Sequence, residues 1–369
     1  MKILPVGASL VAAFALAVSG CAANETPTTP AGQGTSGSGS TQAALQGQLQ
    51  GTGASSMQAA QEAWIAKYKA EQPGVTVNYA PEGSGAGRTA FINGGAGFAG
   101  SDRALKDDEM GAGKFAKCTP ESNAMNLPVY VSPIAIIFNV EGVDELKLDA
   151  ATVAGIFKGE IKNWNDPKIA ALNEGVNLPS GTITPVHRSD NSGTTENFTD
   201  TLSKAAPEVW TEKASGDWPG AFGGEAAKGT SGVVAAVKNG NGTIGYADES
   251  QTEGMKVAQY AQKADGEFVG PTADAAAQVV EASPKVEGRG DNDQALNLDR
   301  TAAGYPFVLV AYAIVCEDYK DDKEAELVKS YIGYIASEQG QKDAEESAGS
   351  APLSSAMAGK VKTSVDSIK

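Results

Sequence analysis

His187-Arg188-Ser189-Asp190-Asn191-Ser192-Gly193-Thr194-Thr195-Glu196 packs an arginine, a carboxylate, several hydroxyls and a glycine into one turn ahead of a helical run. A helix N-terminus leaves backbone N–H groups without intrahelical partners, and the aligned peptide dipoles favour negative charge there. Arg188 adds a planar fork of donors suited to a tetrahedral oxyanion, and Asp190 is close enough to orient it. This is an anion-binding layout, and such turns belong to α/β folds, in which ligands collect at the carboxyl ends of strands.

The same strand, glycine loop and helix recur upstream. Leu45–Ser56 alternates loosely and ends in Gly51-Thr52-Gly53-Ala54-Ser55-Ser56, after which Met57, Ala60, Trp64 and Tyr68 fall at helical spacing until Pro73-Gly74. Val75–Tyr79 reads as a strand, followed by Glu82-Gly83-Ser84-Gly85-Ala86-Gly87-Arg88 and a short helix. Gly97-Phe98-Ala99-Gly100-Ser101-Asp102 reads as a third glycine-rich turn. Pro128–Val140 and Gly304–Cys316 are long apolar strands. Between them lie helical patterns at Ala151–Phe157 and Asp166–Asn173 and a strand at Thr243–Tyr246. Ala325–Gln339 is helical with Leu327, Tyr331 and Tyr334 on one face, and the tail is polar. Alternating strands and helices predict α/β lobes, with the chain leaving one lobe and returning to it.

The N-terminus carries a different message. Lys2 precedes a mostly apolar stretch over 3–18, and Val18-Ser19-Gly20-Cys21 closes it with small residues before a cysteine. This reads as a signal peptide over 1–20 with a lipobox, which implies cleavage before Cys21 and its lipidation; a plain signal peptide is the alternative. Several acyl chains would anchor the protein stably. Residues 22–44 have too little apolar character to fold and form a tether, holding the body roughly 25–30 Å from the membrane. Cys118 and Cys316 remain. In an exported protein they favour one disulfide, worth nominally about 4–5 kcal/mol, and two buried free thiols are the other state. Two cysteines and the single His187 argue against a zinc site.

The formal charge of −16 argues against nucleic acid as a partner. A small anion is still admissible, because short hydrogen bonds and local dipoles act where charges beyond about 8–10 Å are screened.

Four segments present hydroxyls, glycine backbone or a carboxylate at strand-to-helix turns: 51–56, 83–87, Ser101-Asp102 and 188–194. Any one alone is ordinary turn chemistry; together they describe a site. With Ile156-Phe157-Lys158-Gly159, Ile161-Lys162-Asn163-Trp164-Asn165-Asp166 and Gly242–Tyr246 in the same order, residues 45–369 resemble the phosphate-binding proteins of bacterial ABC phosphate importers, the PstS type, in an actinobacterial-like lipoprotein form. The resemblance implies an α/β, two-lobed fold like periplasmic binding proteins of type II, with hinge strands and the ligand in the cleft. Lobe I would comprise 45–132 and 306–369, and lobe II 133–305. By motif, Ser55, Ser56, Ser84, Asp102, Arg188, Ser192, Gly193 and Thr194 would contact phosphate and Asp190 would hold Arg188. Ser56 stands where the family usually has an aromatic residue and would act through its backbone N–H; Ser55 replaces a common threonine.

Asp102 is the informative member, since a carboxylate only accepts. Hydrogen phosphate can donate to it, whereas fully ionised sulfate would set two desolvated acceptors against each other. A helix-cap aspartate is the plainer alternative. The resemblance implies an exported monomer, anchored by lipid to the outer face of the cell membrane, that delivers inorganic phosphate to ABC permease subunits without enzymatic activity, metal or cofactor. The competing readings are the same fold with sulfate or molybdate, opposed by Asp102, and a secreted phosphate or acyl ester hydrolase, opposed by the lack of a G-x-S-x-G elbow. Gly95–Gly100 fits a dinucleotide pattern without a preceding strand and carries no weight. His187 is read as a rim residue, and Trp164 and Trp218 as packing residues.

Overall fold

The computed structural model describes residues 45–369, so the readings placed on residues 1–44, Cys21 included, lie outside the described residues. Gly47–Gly53 (β1) runs into Gln58–Glu71 (α1), whose buried face is Ala60, Gln61, Trp64 and Tyr68 at helical spacing. Val75–Ala80 (β2) pairs parallel with β1, and Ser84–Ile92 (α2) follows.

Phe98–Ser101 is a fully buried strand (β3) on the other edge of β1, where a turn was expected. Its glycine serves close packing. A Cβ on Gly100 would lie 2.2 Å from the Tyr79 hydroxyl, and one on Gly87 of α2 would lie 2.5 Å from the Gly53 Cα. Helix and strands approach each other more closely than side chains allow.

Ala124–Asn139 (β4) is a continuous run of 16 residues, buried up to its last position. The connection onward carries Lys147–Asp149 (β5), Ala150–Lys158 (α3), Pro167–Leu172 (α4), Thr184–Arg188 (β6), Gly193–Ala205 (α5), Glu225–Ala227 (β7) and Gly229–Asn239 (α6). Thr243–Asp248 (β8), Lys256–Val257 (β9), Gln259–Ala261 (β10) and Ala273–Ala282 (α7) complete it before Val308–Cys316 (β11). Asp149 caps α3 by accepting from the Thr152 N–H, and Gly159 at φ 80° ends it, a conformation that favours glycine.

The main sheet has the order β2-β1-β3-β11-β4-β8-β6-β7, with β9 on β4, and β5 pairs with β10. β4 joins its two halves: Ala124–Pro133 pairs antiparallel with β11, and Ile134–Asn139 pairs antiparallel with β8. The register switches at Pro133, which cannot donate to a ladder. The returning chain meets the first half before position 306. Gln294 N–H donates to Asn126 O, and Asp293 accepts from the Asn126 amide.

The C-terminal helix is shorter than its pattern. Asp322–Ile335 (α8) stops, and Ser337 caps a new helix, Glu338–Ala348 (α9), followed by Ser355–Asp366 (α10). The tail read as polar is therefore helical. Its inward face is built from small and polar residues such as Gln341, Asp343 and Ala344, which carry little periodic hydrophobic signal. Trp64 Nε1 donates to the Gly340 carbonyl at 2.6 Å, tying α9 to α1.

Cys118 and Cys316 form a disulfide with Cα atoms 5.4 Å apart and a sequence separation of 198. Both residues belong to the β3–β11–β4 side of the molecule, so the bond ties that side alone. Replacing both by alanine is expected to destabilise the fold by about 4–5 kcal/mol in chemical denaturation while leaving ligand affinity within about twofold. A coupled loss of affinity would mean that the bond also shapes the cleft.

Candidate functional site

β2, β1 and β3 run parallel, as do β8, β6 and β7, and the candidate residues follow directly from the carboxyl ends of these strands. Ser55 and Ser56 come after β1, Ser84 after β2, Asp102 after β3, Arg188 and Asp190 at the end of β6, and Gly229-Thr230 after β7. Four helices start there. The N-cap residues of α1, α2 and α6 make no side-chain cap, whereas α5 is capped by Ser192, whose Oγ accepts from the Thr195 N–H at 3.2 Å. Four helix N-termini gathered at one cleft favour an anion, although the first two amides of α6 already donate to Asp190 Oδ1 and Ser55 Oγ.

All the sequence-predicted residues come together there. Asp102 is buried at the centre: Ser56 Oγ donates to its Oδ1 at 2.6 Å and Thr194 Oγ1 donates to its Oδ2 at 3.0 Å. The Asp102 N–H donates to Ser84 Oγ at 3.1 Å. Ser55 Oγ lies 3.1 Å from Thr230 Oγ1 and accepts from the Thr230 N–H at 3.2 Å. Arg188 is buried, with Nε donating to Asp190 Oδ1 at 2.8 Å and Nη2 to Oδ2, a two-pronged pairing that fixes the plane of the guanidinium. The Gly229 N–H also donates to Asp190 Oδ1 at 3.0 Å.

Two glycines are required by these approaches. Gly83 has φ 103°, and a Cβ on it would lie 2.5 Å from Asp190 Oδ2. A Cβ on Gly193 would lie 2.6 Å from the Asp102 Cβ and 2.7 Å from Ser84 Oγ. Gly193→Ala is therefore expected to hold the two walls apart and weaken ligand binding on the order of tenfold or more, with thermal stability nearly unchanged. Titration calorimetry beside a melting curve checks it; wild-type affinity would show that the walls do not need this contact.

Burial pushes the Asp102 carboxyl above the ordinary aspartate range, opposed by the Ser56 and Thr194 hydroxyls and the charges of Arg188 and Arg88. Burial also acts upward on Asp190, but hydrogen bonding and charge from Arg188, with the Gly229 N–H, outweigh it and hold that carboxyl below its usual value. Two carboxylates in one cleft thus have opposite characters. Burial, with the neighbouring Arg103 charge, lowers Arg88 to about 10.

A second ring of residues, not evident from the sequence, surrounds the site. Arg88 donates to Ser101 Oγ at 2.9 Å and to Asn191 Oδ1 at 3.2 Å. Arg103 pairs with Glu196 at 2.8 Å, and Asn197 Nδ2 donates to the Asp102 carbonyl at 2.7 Å. Gln251 Nε2 donates to the Ser55 carbonyl at 2.7 Å, and Lys228 pairs with Glu82 at 2.8 Å. Apart from Arg88 to Ser101, which stays within the β1–β3 side, each of these links joins an element of that side to one of the β6–β8 side. Arg88 was accessible in principle, since it lies one helical turn after Ser84. The others depend on loop paths that no local pattern encodes. His187 stacks on Trp218 with centroids 4.8 Å apart, beside an aromatic cluster that includes Phe157, Trp210 and Phe222. Trp164 is buried in the core. Among the described residues, no group of three or more His, Cys, Asp or Glu is arranged to hold a metal ion, and no helix is long and apolar enough to cross a membrane.

Comparison with known proteins agrees with this geometry. The PBP superfamily domain profile matches residues 38–339. Phosphate-binding protein PstS 3 of Mycobacterium tuberculosis is 36% identical over 343 residues, covering 90% of each chain. PstS 2 of the same organism is 35% identical over 368 residues, covering 98% of this chain and 97% of its own. Among solved structures, a high-affinity periplasmic phosphate-binding protein (PfluDING) bound with phosphate superposes with a TM-score of 0.69 at 23% identity, over 86% of this chain and 93% of its own. The phosphate-binding protein of Stenotrophomonas maltophilia gives 0.66 at 20% identity, over 86% and 93%. These two share the fold, a mixed α/β two-lobed architecture. With the profile spanning most of the chain and relatives above one-third identity along nine-tenths of it, the chain belongs to the PstS family of the PBP superfamily.

Proposed function

We propose that this protein is an extracytoplasmic receptor that captures inorganic phosphate in the cleft and delivers it to the permease subunits of an ABC transporter. The observation that carries the reading is Asp102, a buried carboxylate set among the starts of four helices and close enough to Arg188 to feel its charge. The helix ends and Arg188 attract an anion, and the carboxylate demands that the anion bring a proton. Hydrogen phosphate meets both conditions and sulfate meets one.

The proposed contacts are the Ser55 and Ser84 hydroxyls, the Ser56 backbone, Arg188, and the Ser192-Gly193-Thr194 turn, with Asp190 orienting Arg188. The Ser192 hydroxyl can donate its proton to a ligand while its oxygen caps α5. Lobe I (45–132 and 306–369) and lobe II (133–305) would close on the ligand about the point where β4 changes partner, with Asp293 and Gln294 of the returning chain already bonded to Asn126 of lobe I. Cys21 would carry the lipid anchor on an exported, monomeric receptor that performs no chemistry on its ligand. Equilibrium dialysis of the exported chain against phosphate tests the reading: one phosphate per chain is expected, and absence of binding would overturn it.

A further inference from the structure

We propose that Ser56 is a positioning residue for Asp102, fixing that carboxylate as an acceptor so that the cleft selects protonated oxyanions. The inference rests on the phosphate reading above and deepens it by assigning a residue that sets selectivity through its side chain and not through the ligand. Ser56 is fully buried, and its hydroxyl donates to Asp102 Oδ1 at 2.6 Å. The loop is pinned from the opposite wall, since Gln251 Nε2 donates to the adjoining Ser55 carbonyl at 2.7 Å. The paired strands β1 and β3 hold the hydroxyl in register with the carboxylate, and Gln251 braces the loop from the other wall.

An ionised carboxylate offers about four lone-pair sites and no proton. Ser56 fills one on Oδ1, and Thr194 fills one on Oδ2 from the other side of the cleft. Both donors stabilise the charged form, as do Arg88 from α2 and Arg188 from β6; burial acts in the other direction. Two further groups feel Asp102. Asp248 at the end of β8 is a like charge, and Tyr79 of β2 is a buried phenol whose ionisation Asp102 opposes. Against that background, loss of the Ser56 hydroxyl removes a short bond to a desolvated charge, the kind of hydrogen bond that contributes most. The carboxyl would then take up a proton more readily and present a donor, which a fully ionised anion can accept. Selectivity would weaken from both sides, with phosphate bound less well and sulfate better.

The test is calorimetric titration of wild type, Ser56→Ala and Ser56→Thr with phosphate and with sulfate from pH 5 to pH 8.5, each variant checked by thermal melting. For Ser56→Ala, phosphate affinity at pH 7.5 is expected to fall on the order of tenfold, and the acid limb of its pH profile to move up by about one unit. The phosphate-to-sulfate ratio should narrow accordingly. Ser56→Thr, which retains the hydroxyl, should keep the wild-type acid limb. A wild-type pH profile and anion ratio in Ser56→Ala would overturn the inference while leaving phosphate binding intact. If wild type bound no phosphate, the reading beneath it would fall instead, and this inference with it.

Discussion

Arg188→Ala is expected to weaken phosphate binding by on the order of 3–5 kcal/mol, about a hundredfold to a few thousandfold, because it strips a buried anion of its main charge partner. The size follows from the geometry. Arg188 is buried at the end of β6, and its two-pronged pairing with Asp190 fixes the guanidinium plane. Its removal does more than delete a cation. Asp190, held low by Arg188, would stand in the cleft as an unpaired negative charge facing the incoming anion. Arg188→Lys keeps the charge but loses the fork, and should fall between wild type and alanine. Calorimetry on the three proteins checks the order; an alanine variant within twofold of wild type would show that the anion sits elsewhere.

Asp102→Asn has the second-largest expected effect, and it separates binding from stability. The asparagine retains a carbonyl acceptor but adds N–H donors, so an ionised oxyanion no longer meets a carboxylate. Discrimination between phosphate and sulfate should fall by at least a hundredfold, as expected when a site built around one hydrogen bond loses it. Stability should move the other way. The folded state raises the Asp102 pKa, so the ligand-free protein is penalised once Asp102 ionises, and the penalty is absent below the unfolded aspartate value near pH 4. Asparagine removes that penalty. The variant should melt higher than wild type at neutral pH, with the difference shrinking as pH falls toward 4. A variant that melts lower at neutral pH would show that the Ser56 and Thr194 bonds to the carboxylate outweigh its desolvation.

That these residues meet in one place was legible because of where glycines and hydroxyls sit. Turns after parallel strands must contain residues that allow close backbone approach, and Gly83, Ser84, Ser192 and Gly193 carry that requirement in their own identities. β4 and β11 were legible for a similar reason: strands buried on both faces read as unbroken apolar runs. Phe98–Ser101 misled because its glycine, Gly100, answers to Tyr79, a residue 21 positions away in the chain, and not to a turn. α9 was hidden because its inward face uses Gln341, Asp343 and Ala344. The links across the cleft, Arg103 to Glu196 and Gln251 to Ser55, were illegible because their partners lie 93 and 196 positions apart. Nothing local marks a residue whose role exists only when two walls meet.

Whether the cleft demands a proton from its anion is decided most directly by one measurement. Wild-type protein titrated calorimetrically with phosphate and with sulfate at pH 7.5, in the same buffer, should bind one phosphate per chain and bind sulfate about a thousandfold more weakly or not at all. Sulfate binding as tight as phosphate binding would contradict it.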